Sequence, residues 1–271
     1  MLQYLQYSFF QQALAAVVLL SVCSAVIGTY IISRRLVAIS GGITHACFGG
    51  LGLGYFLGVS PVAMAALFAI GSSAAVESMS ERFHLRQDSA IAVIWALGMA
   101  LGVLFVFMTP GYVPELNAFL FGNILTVSTS DLWIFGAYAV LLAAFFIWKR
   151  RTIAAVAFDR DFAAVSGLPV RFISYTMTVF VAVCIVLTIR LVGVMLLMSV
   201  MSLPIITAEI FCHRFTPLML LSAAISLVAS VAGLLLSTII DVPCSALIVL
   251  LLAAFFIIAK AVSAIVVRAN K

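Results

Sequence analysis

The sequence predicts an all-α, polytopic membrane helical bundle of eight or nine transmembrane helices, and three observations predict it. Hydrophobic residues fill 66% of the 271 positions and charged residues only 8%, a balance that leaves too little polar surface to cover a water-facing globule. Stretches such as 13–33, 130–148 and 243–259 are continuously apolar with no two-residue alternation, as expected for helical spans and not for the strands of a barrel. The basic residues, finally, come in short groups between the apolar runs, where topology signals belong.

Charges, glycines and prolines divide the chain into apolar segments near 10–33, 41–58, 61–79, 90–108, 130–148, 172–190, 191–211, 216–237 and 243–260. An outside amino terminus and a cytoplasmic carboxyl terminus place thirteen of the 14 basic residues on the inner side and leave only Arg190 outside. The inner groups are then Arg34 and Arg35; Arg82 and Arg86; Lys149, Arg150, Arg151, Arg160 and Arg171; Arg214; and Lys260, Arg268 and Lys271. Two segments decide between eight and nine spans. One is 41–58, short and glycine-rich; the other is 191–211, which follows its predecessor almost without a loop, and either is expected to break or re-enter if eight is correct. No charge precedes Arg34, so the first run is expected to stay as a span and not to be cleaved as a signal peptide. The whole of 1–271 reads as a single transmembrane domain. Its longest polar stretch is about 149–171, and its outer loop, 109–129, carries a helix-like patch at 116–125.

The pI near 9.1 and formal charge of +5 do not indicate a nucleic-acid partner, because the cations are dispersed among the inner loops. Cys23, Cys47, Cys184, Cys212 and Cys244 are scattered without a CxxC pair and read as reduced packing residues.

The richest segment for chemistry is 41–58. On a helix Gly42, Ala46, Gly50, Gly54 and Gly58 recur every four residues and form a ridge of minimal side chains, against which another helix or a permeating solute should lie. His45 sits beside that ridge within an apolar segment. It is either a hydrogen-bonding partner for a neighbouring helix or a ligand for a transition metal. A second segment runs from Phe158, Asp159, Arg160, Asp161 and Phe162 to Gly167 and Pro169. Asp159 is placed to cap a short helix, Phe158, Phe162 and Val165 recur at helical spacing, and Gly167 and Pro169 stop it. Such a helix either docks into a groove on a soluble partner or lies on the headgroups. Glu209, Cys212 and His213 are spaced to share one helix face at the inner end of a span, either touching a departing cation or solvating the helix end. Met195, Met198 and Met201 read as adaptable packing.

Several activities lack their residues. With lysines only at 149, 260 and 271 no GxxxxGK[ST] loop exists, so any ATP dependence must come from another chain. HExxH and GxSxG are absent as well. Intramembrane carboxylates are scarce, with Glu77 and Glu209 near segment ends, which argues against a self-powered carrier.

Taken in order, these segments resemble the permease subunits of bacterial ABC importers for divalent metals of the zinc, manganese and iron type. Ser33-Arg34-Arg35-Leu36-Val37 followed by 41–58 looks like the family's strand-like basic entry and glycine-rich helix. Phe158-Asp159 through Pro169 is similar to its cytoplasmic coupling segment, about 158–168. Val192-Gly193-Val194-Met195-Leu196-Leu197 through Leu203-Pro204 and Ala208 resembles its Val-Gly-x-Leu-Leu to Leu-Pro run, and Leu120-Phe121-Gly122-Asn123-Ile124-Leu125 its outer-loop motif. The resemblance implies a homodimer in the bacterial cytoplasmic (inner) membrane. Its partners would be a cytoplasmic ABC ATPase that carries the ATP, an extracytoplasmic solute-binding protein and membrane lipid. Zinc, manganese or iron would be cargo, with no permanently bound cofactor and no catalysis in this chain. It further implies a path lined by His45, Gly41, Gly42, Gly49 and Gly50, with Glu209 and His213 at a possible cytoplasmic exit. The family's aspartate four residues before the histidine corresponds here to Gly41, so His45 would act alone, with water or with the second protomer's histidine. The alternatives are a permease for a metal chelate (siderophore, cobalamin or haem) and a membrane scaffold without transport.

Overall fold

The structure, a computed structural model, describes residues 7–111, 122 and 124–269. Among these residues the chain is helical throughout, in the order α1 (Ser8–Ser33), α2 (Val37–Leu57), α3 (Pro61–Phe83), α4 (Gln87–Met108), a 3-10 turn (Ile124–Thr126), α5 (Thr129–Phe158), α6 (Arg160–Val165), α7 (Val170–Glu209), α8 (Phe215–Ile240) and α9 (Cys244–Ala269). Eight of these helices are long and apolar enough to cross a bilayer. The outer-loop patch expected at 116–125 lies largely outside the described residues. Its described part contributes the 3-10 turn and the buried Ile124.

Helix boundaries follow from local chemistry. Ser60 accepts a hydrogen bond from the Ala63 amide, and Pro61 opens α3 with its missing donor at a position where none is needed. α2 ends on Gly58 in the left-handed conformation, where the Gly58 and Val59 amides bond back to the Tyr55 and Gly54 carbonyls. Before α5, the Ser128 hydroxyl accepts from the Asp131 amide while the Asp131 carboxylate accepts from the Ser128 amide, a reciprocal capping box.

Three sequence expectations change in the structure. The basic entry at 33–37 is not strand-like: α1 runs to Ser33, Arg35 turns the chain at φ 58°, and α2 begins at Val37. The segment 41–58 is not broken, because α2 is a continuous 21-residue helix. The segments 172–190 and 191–211 belong to one 40-residue helical run, interrupted only at Gly193 with φ 78° and ψ 171°, a conformation open almost solely to glycine. A run that long would extend about 60 Å, twice the hydrocarbon thickness, so the interruption is where a membrane chain of this length has to adjust.

Two compact units divide the chain. The first comprises 1–32, 120–143 and 191–271. Its core contains Ile32, Ile205, Ala208 and Leu218, with Ile206, Cys212, Leu221 and Ile225 packed against them. A Cβ on Gly28 would stand 2.6 Å from Ile205 Cδ1, so α1 and α7 touch where a side chain is missing. Ser222, Ser226 and Ser230 repeat every four residues along α8 and are buried, and Ser226 donates to the Ser21 hydroxyl of α1 at 3.2 Å. These are the small-residue and polar contacts by which helices associate without a hydrophobic drive. Gly122 packs against the backbone at Val192 and Gly193, the site of the α7 interruption.

The second unit comprises 33–119 and 144–190 and is built around α2. α5 enters it past a bend at Lys149, whose φ is −110°, and continues helically to Phe158 through what the sequence suggested was a polar loop. Trp148 of α5 is exposed. The Lys149 ammonium sits 4.2 Å from the Trp148 ring centre, as expected for an aromatic and cationic belt at the membrane interface.

Within this unit α2 packs against α3 and α4 through missing side chains. A Cβ on Gly52 would lie 2.6 Å from the Gly102 carbonyl oxygen, and one on Gly49 would lie 2.9 Å from that of Gly98. A methyl at Gly50 would collide with the Met64 carbonyl and stand 2.8 Å from Ala65 Cα. Gly50→Ala is therefore expected to lower the melting temperature in detergent, since overpacking costs about 1–3 kcal/mol. Gly71→Ala, whose new methyl meets nothing within 4 Å, is expected to stabilise by about 0.5–1 kcal/mol. Thermal melts read by size-exclusion chromatography check both; equal shifts would show that the α2–α3 contact yields freely.

Candidate functional site

α2 positions His45 by elimination of every other opening on its surface. From Ile39 to Gly52 all side chains are buried except His45 and Phe48, which stand one turn apart on one face and are half-buried. His45 is thus the one ionisable side chain that this stretch leaves accessible. Its ring stacks on Trp95 of α4, with centroids 4.6 Å apart and planes 9° from parallel. Stacking covers a face of the imidazole and fixes its plane, in which the lone pair and N–H of the ring nitrogens lie.

The glycines expected beside His45 have a mainly structural setting here. Gly41, Gly42, Gly49 and Gly50 are all buried. Gly42 faces Ile91 of α4, Gly49 faces Gly98 and Phe68, and Gly50 faces Met64 and Ala65 of α3. Of the two occupants the sequence allowed for this ridge, a helix or a solute, helices α3 and α4 take the places opposite these three glycines. Gly41 is one turn before His45 on α2 and brings no side chain to it. Among the described residues no three His, Cys, Asp or Glu side chains come close enough together to hold a metal ion.

The residues at 209–213 do not form the expected shared face. α7 ends at Glu209, and Cys212 and His213 lie beyond it in a turn. There the Ile210 and Phe211 amides bond to Thr207 and Ala208, three residues back. The Cys212 amide also bonds to Ala208, so the Ala208 carbonyl is shared as the helix ends. Glu209 and His213 are both exposed.

The segment 158–169 folds as its residues suggest. Phe158 ends α5, and the Asp159 carboxylate accepts the Phe162 amide at 2.9 Å as the cap of α6, with Arg160 and Asp161 in the first turn. Gly167, at φ 74°, turns the chain, and Pro169 precedes α7. Ala163 is buried, whereas Phe158, Phe162 and Val165 are 57%, 66% and 90% exposed. Two large apolar side chains therefore protrude from the short capped helix α6 and a third from the last residue of α5.

Sequence reasoning passed over Glu77. It is 2% exposed near the end of α3, with Arg34 and Arg160 beside it. The available signal was the pair Glu77 and Glu81, one turn apart on a mostly apolar helix, which requires cations nearby.

The whole chain has well-covered relatives. A "Probable metal transport system membrane protein" of Chlamydia pneumoniae is 33% identical over 82% of this chain and 78% of its own length. A "Probable iron transport system membrane protein" of Haemophilus influenzae is 31% identical over 99% and 98%. The manganese transport system membrane protein MntC of Halalkalibacterium halodurans is 30% identical over 95% and 88%. The solved structure of PsaBC from Streptococcus pneumoniae in complex with Fab superposes with a TM-score of 0.81 at 25% identity, covering 94% of this chain and 91% of that one. Eight apolar helices and these bacterial relatives make the chain a multi-pass bacterial membrane protein. With the family model matching residues 6–263, it belongs to the ABC 3 transport family.

Proposed function

We propose that this chain is the membrane permease subunit of an ATP-driven importer in the bacterial inner membrane, carrying a divalent transition metal such as manganese, iron or zinc. Two copies form the path, a cytoplasmic ATPase docks on α6 of each, and an extracytoplasmic binding protein delivers the ion. The observation that carries this reading is the exposure of Phe162 and Val165 on α6 and of Phe158 at the end of α5. It falls in the segment richest in basic residues, with Lys149, Arg150, Arg151, Arg160 and Arg171, which argues for the cytoplasmic side. Aromatic side chains presented on a small rigid element are what a groove on a soluble partner would grip.

His45 is the contact for the ion within the path. A lone imidazole, stacked on Trp95, exchanges ligands more readily than a closed three- or four-ligand site, and a transporter must release what it binds. The second copy or water supplies the remaining ligands, since Gly41 supplies none. No covalent chemistry takes place in this chain; the ATPase hydrolyses ATP, and α6 transmits the movement.

Reconstituted with its ATPase in proteoliposomes, the permease is expected to take up manganese, iron or zinc only with ATP; equal uptake without the ATPase chain would end the proposal. His45→Ala is expected to reduce uptake about 10-fold or more, as loss of a metal-orienting group does, with ATPase association unchanged; wild-type uptake would remove His45 from the path. Phe162→Asp combined with Val165→Asp should weaken co-purification of the ATPase by about 30-fold, the loss typical of a buried aromatic anchor at an interface. Undiminished co-purification would place the docking surface elsewhere.

A further inference from the structure

The carboxylate of Glu77 is the meeting point of four segments of the second unit. Arg160 Nη1, from the first residue of α6, stands 2.9 Å from Glu77 Oε1. Arg34 Nη1, from the short link between α1 and α2, stands 3.5 Å from Glu77 Oε2. Gln87, the first residue of α4, donates from Nε2 to Glu77 Oε2 at 3.4 Å and accepts from Arg34 Nη2 at 3.4 Å. One turn further along α3, Glu81 pairs with Arg160 Nη2 and has Arg171 Nε at 3.7 Å. The Glu77 and Arg34 side chains are 2% and 6% exposed, whereas Arg171 is 85% exposed and its pairing is peripheral.

Local structure does not ask for these charges. Glu81 occupies the last turn of α3, and Arg160 and Arg171 the first turns of α6 and α7, each at the helix end whose dipole disfavours its sign. Nor does stability require them, since apolar replacements of buried ion pairs are often as stable, while removal of one partner is costly. What such a network supplies is a fixed geometry. Here it fixes Arg160, and with it α6, to the inner ends of α2, α3 and α4, two of which carry His45 and Trp95 further along.

We propose that Glu77 is the positioning residue through which movement of α6 reaches the helices that hold His45. This rests on the reading of α6 as the ATPase dock. A push on Phe162 and Val165 displaces a six-residue helix that is capped by Asp159 and too short to bend. Arg160 moves with it, and Glu77 passes the displacement to α3 directly and to the starts of α2 and α4 through Arg34 and Gln87.

The test uses the assembled permease–ATPase complex in proteoliposomes with manganese ion as the probe, and measures uptake and ATP hydrolysis on the same preparation. Glu77→Gln is expected to leave hydrolysis within about twofold while manganese moved per ATP falls about 10-fold, a coupling loss of ordinary size. Arg160→Gln is expected to do the same. The double variant should fall about 10-fold as well, and not about 100-fold, because residues acting as one unit are not additive. An unchanged ratio in either single variant, or multiplying losses in the double, overturns the proposal. Should Glu77→Gln give no folded complex, the ratio in the more exposed Arg160→Gln decides alone. Val165→Cys, in an otherwise wild-type chain, is tested separately for maleimide cross-linking to the ATPase. Absence of that cross-link overturns the docking reading and the Glu77 relay together, whereas a cross-link with an unchanged ratio overturns the relay only.

Discussion

Close backbone approach around α2 is the constraint on which the second unit depends. In an apolar solvent there is no hydrophobic force to press helices together, so their association rests on van der Waals contact and on what polar groups can share. α2 meets α3 and α4 at Gly42, Gly49, Gly50, Gly52 and Gly54, against Ile91, Gly98, Met64, Gly102 and Pro61 in turn. Side chains at these points would separate the helices and disrupt the stretch 39–52, in which all side chains but His45 and Phe48 are buried. The same approach brings Trp95 over the imidazole, and in the same unit Arg34, Gln87 and Arg160 reach the one carboxylate of Glu77.

That carboxylate shows how a largely apolar chain uses its few charges. The sequence has only 9 acidic residues, and two of them stand one turn apart on α3 where three arginines converge. A buried ion pair contributes little net stability but resists being opened, because opening strands a charge in low dielectric. In a machine that has to transmit displacement, a contact costly to break and indifferent to solvent is mechanically useful. α6 thus exposes Phe162 and Val165 on its surface while Arg160 pairs with Glu77 and Glu81 of α3.

Much of the fold was legible in the sequence because membrane helices report themselves through length and hydropathy. The limits of α1, α3, α4 and α8 fall within a few residues of the apolar segments, α9 starts where expected but runs nine residues past 260, and α6 follows from the Asp159 cap, the phenylalanine spacing and the Gly167 stop. Errors gathered where local pattern does not control the outcome. Arg34 and Arg35 look like a strand-like link but form a tight turn between α1 and α2, with Arg35 left-handed. Glu209, Cys212 and His213 have helical spacing, yet the helix stops at the first of them. Glu77 reads as an incidental charge near a segment end because its partners are up to 83 residues away.

By itself, then, the sequence determined the solvent, the helices, the short capped helix between α5 and α7, and His45 as the intramembrane ionisable group of α2. These are consequences of composition and of interactions within about four residues, which a linear pattern records. Only the tertiary structure decided what fills the glycine ridge, which ring covers His45, and which cations surround Glu77. Those contacts join residues distant in sequence, and whether they form depends on how near two backbones can come, a quantity fixed by three-dimensional packing and written nowhere in local order.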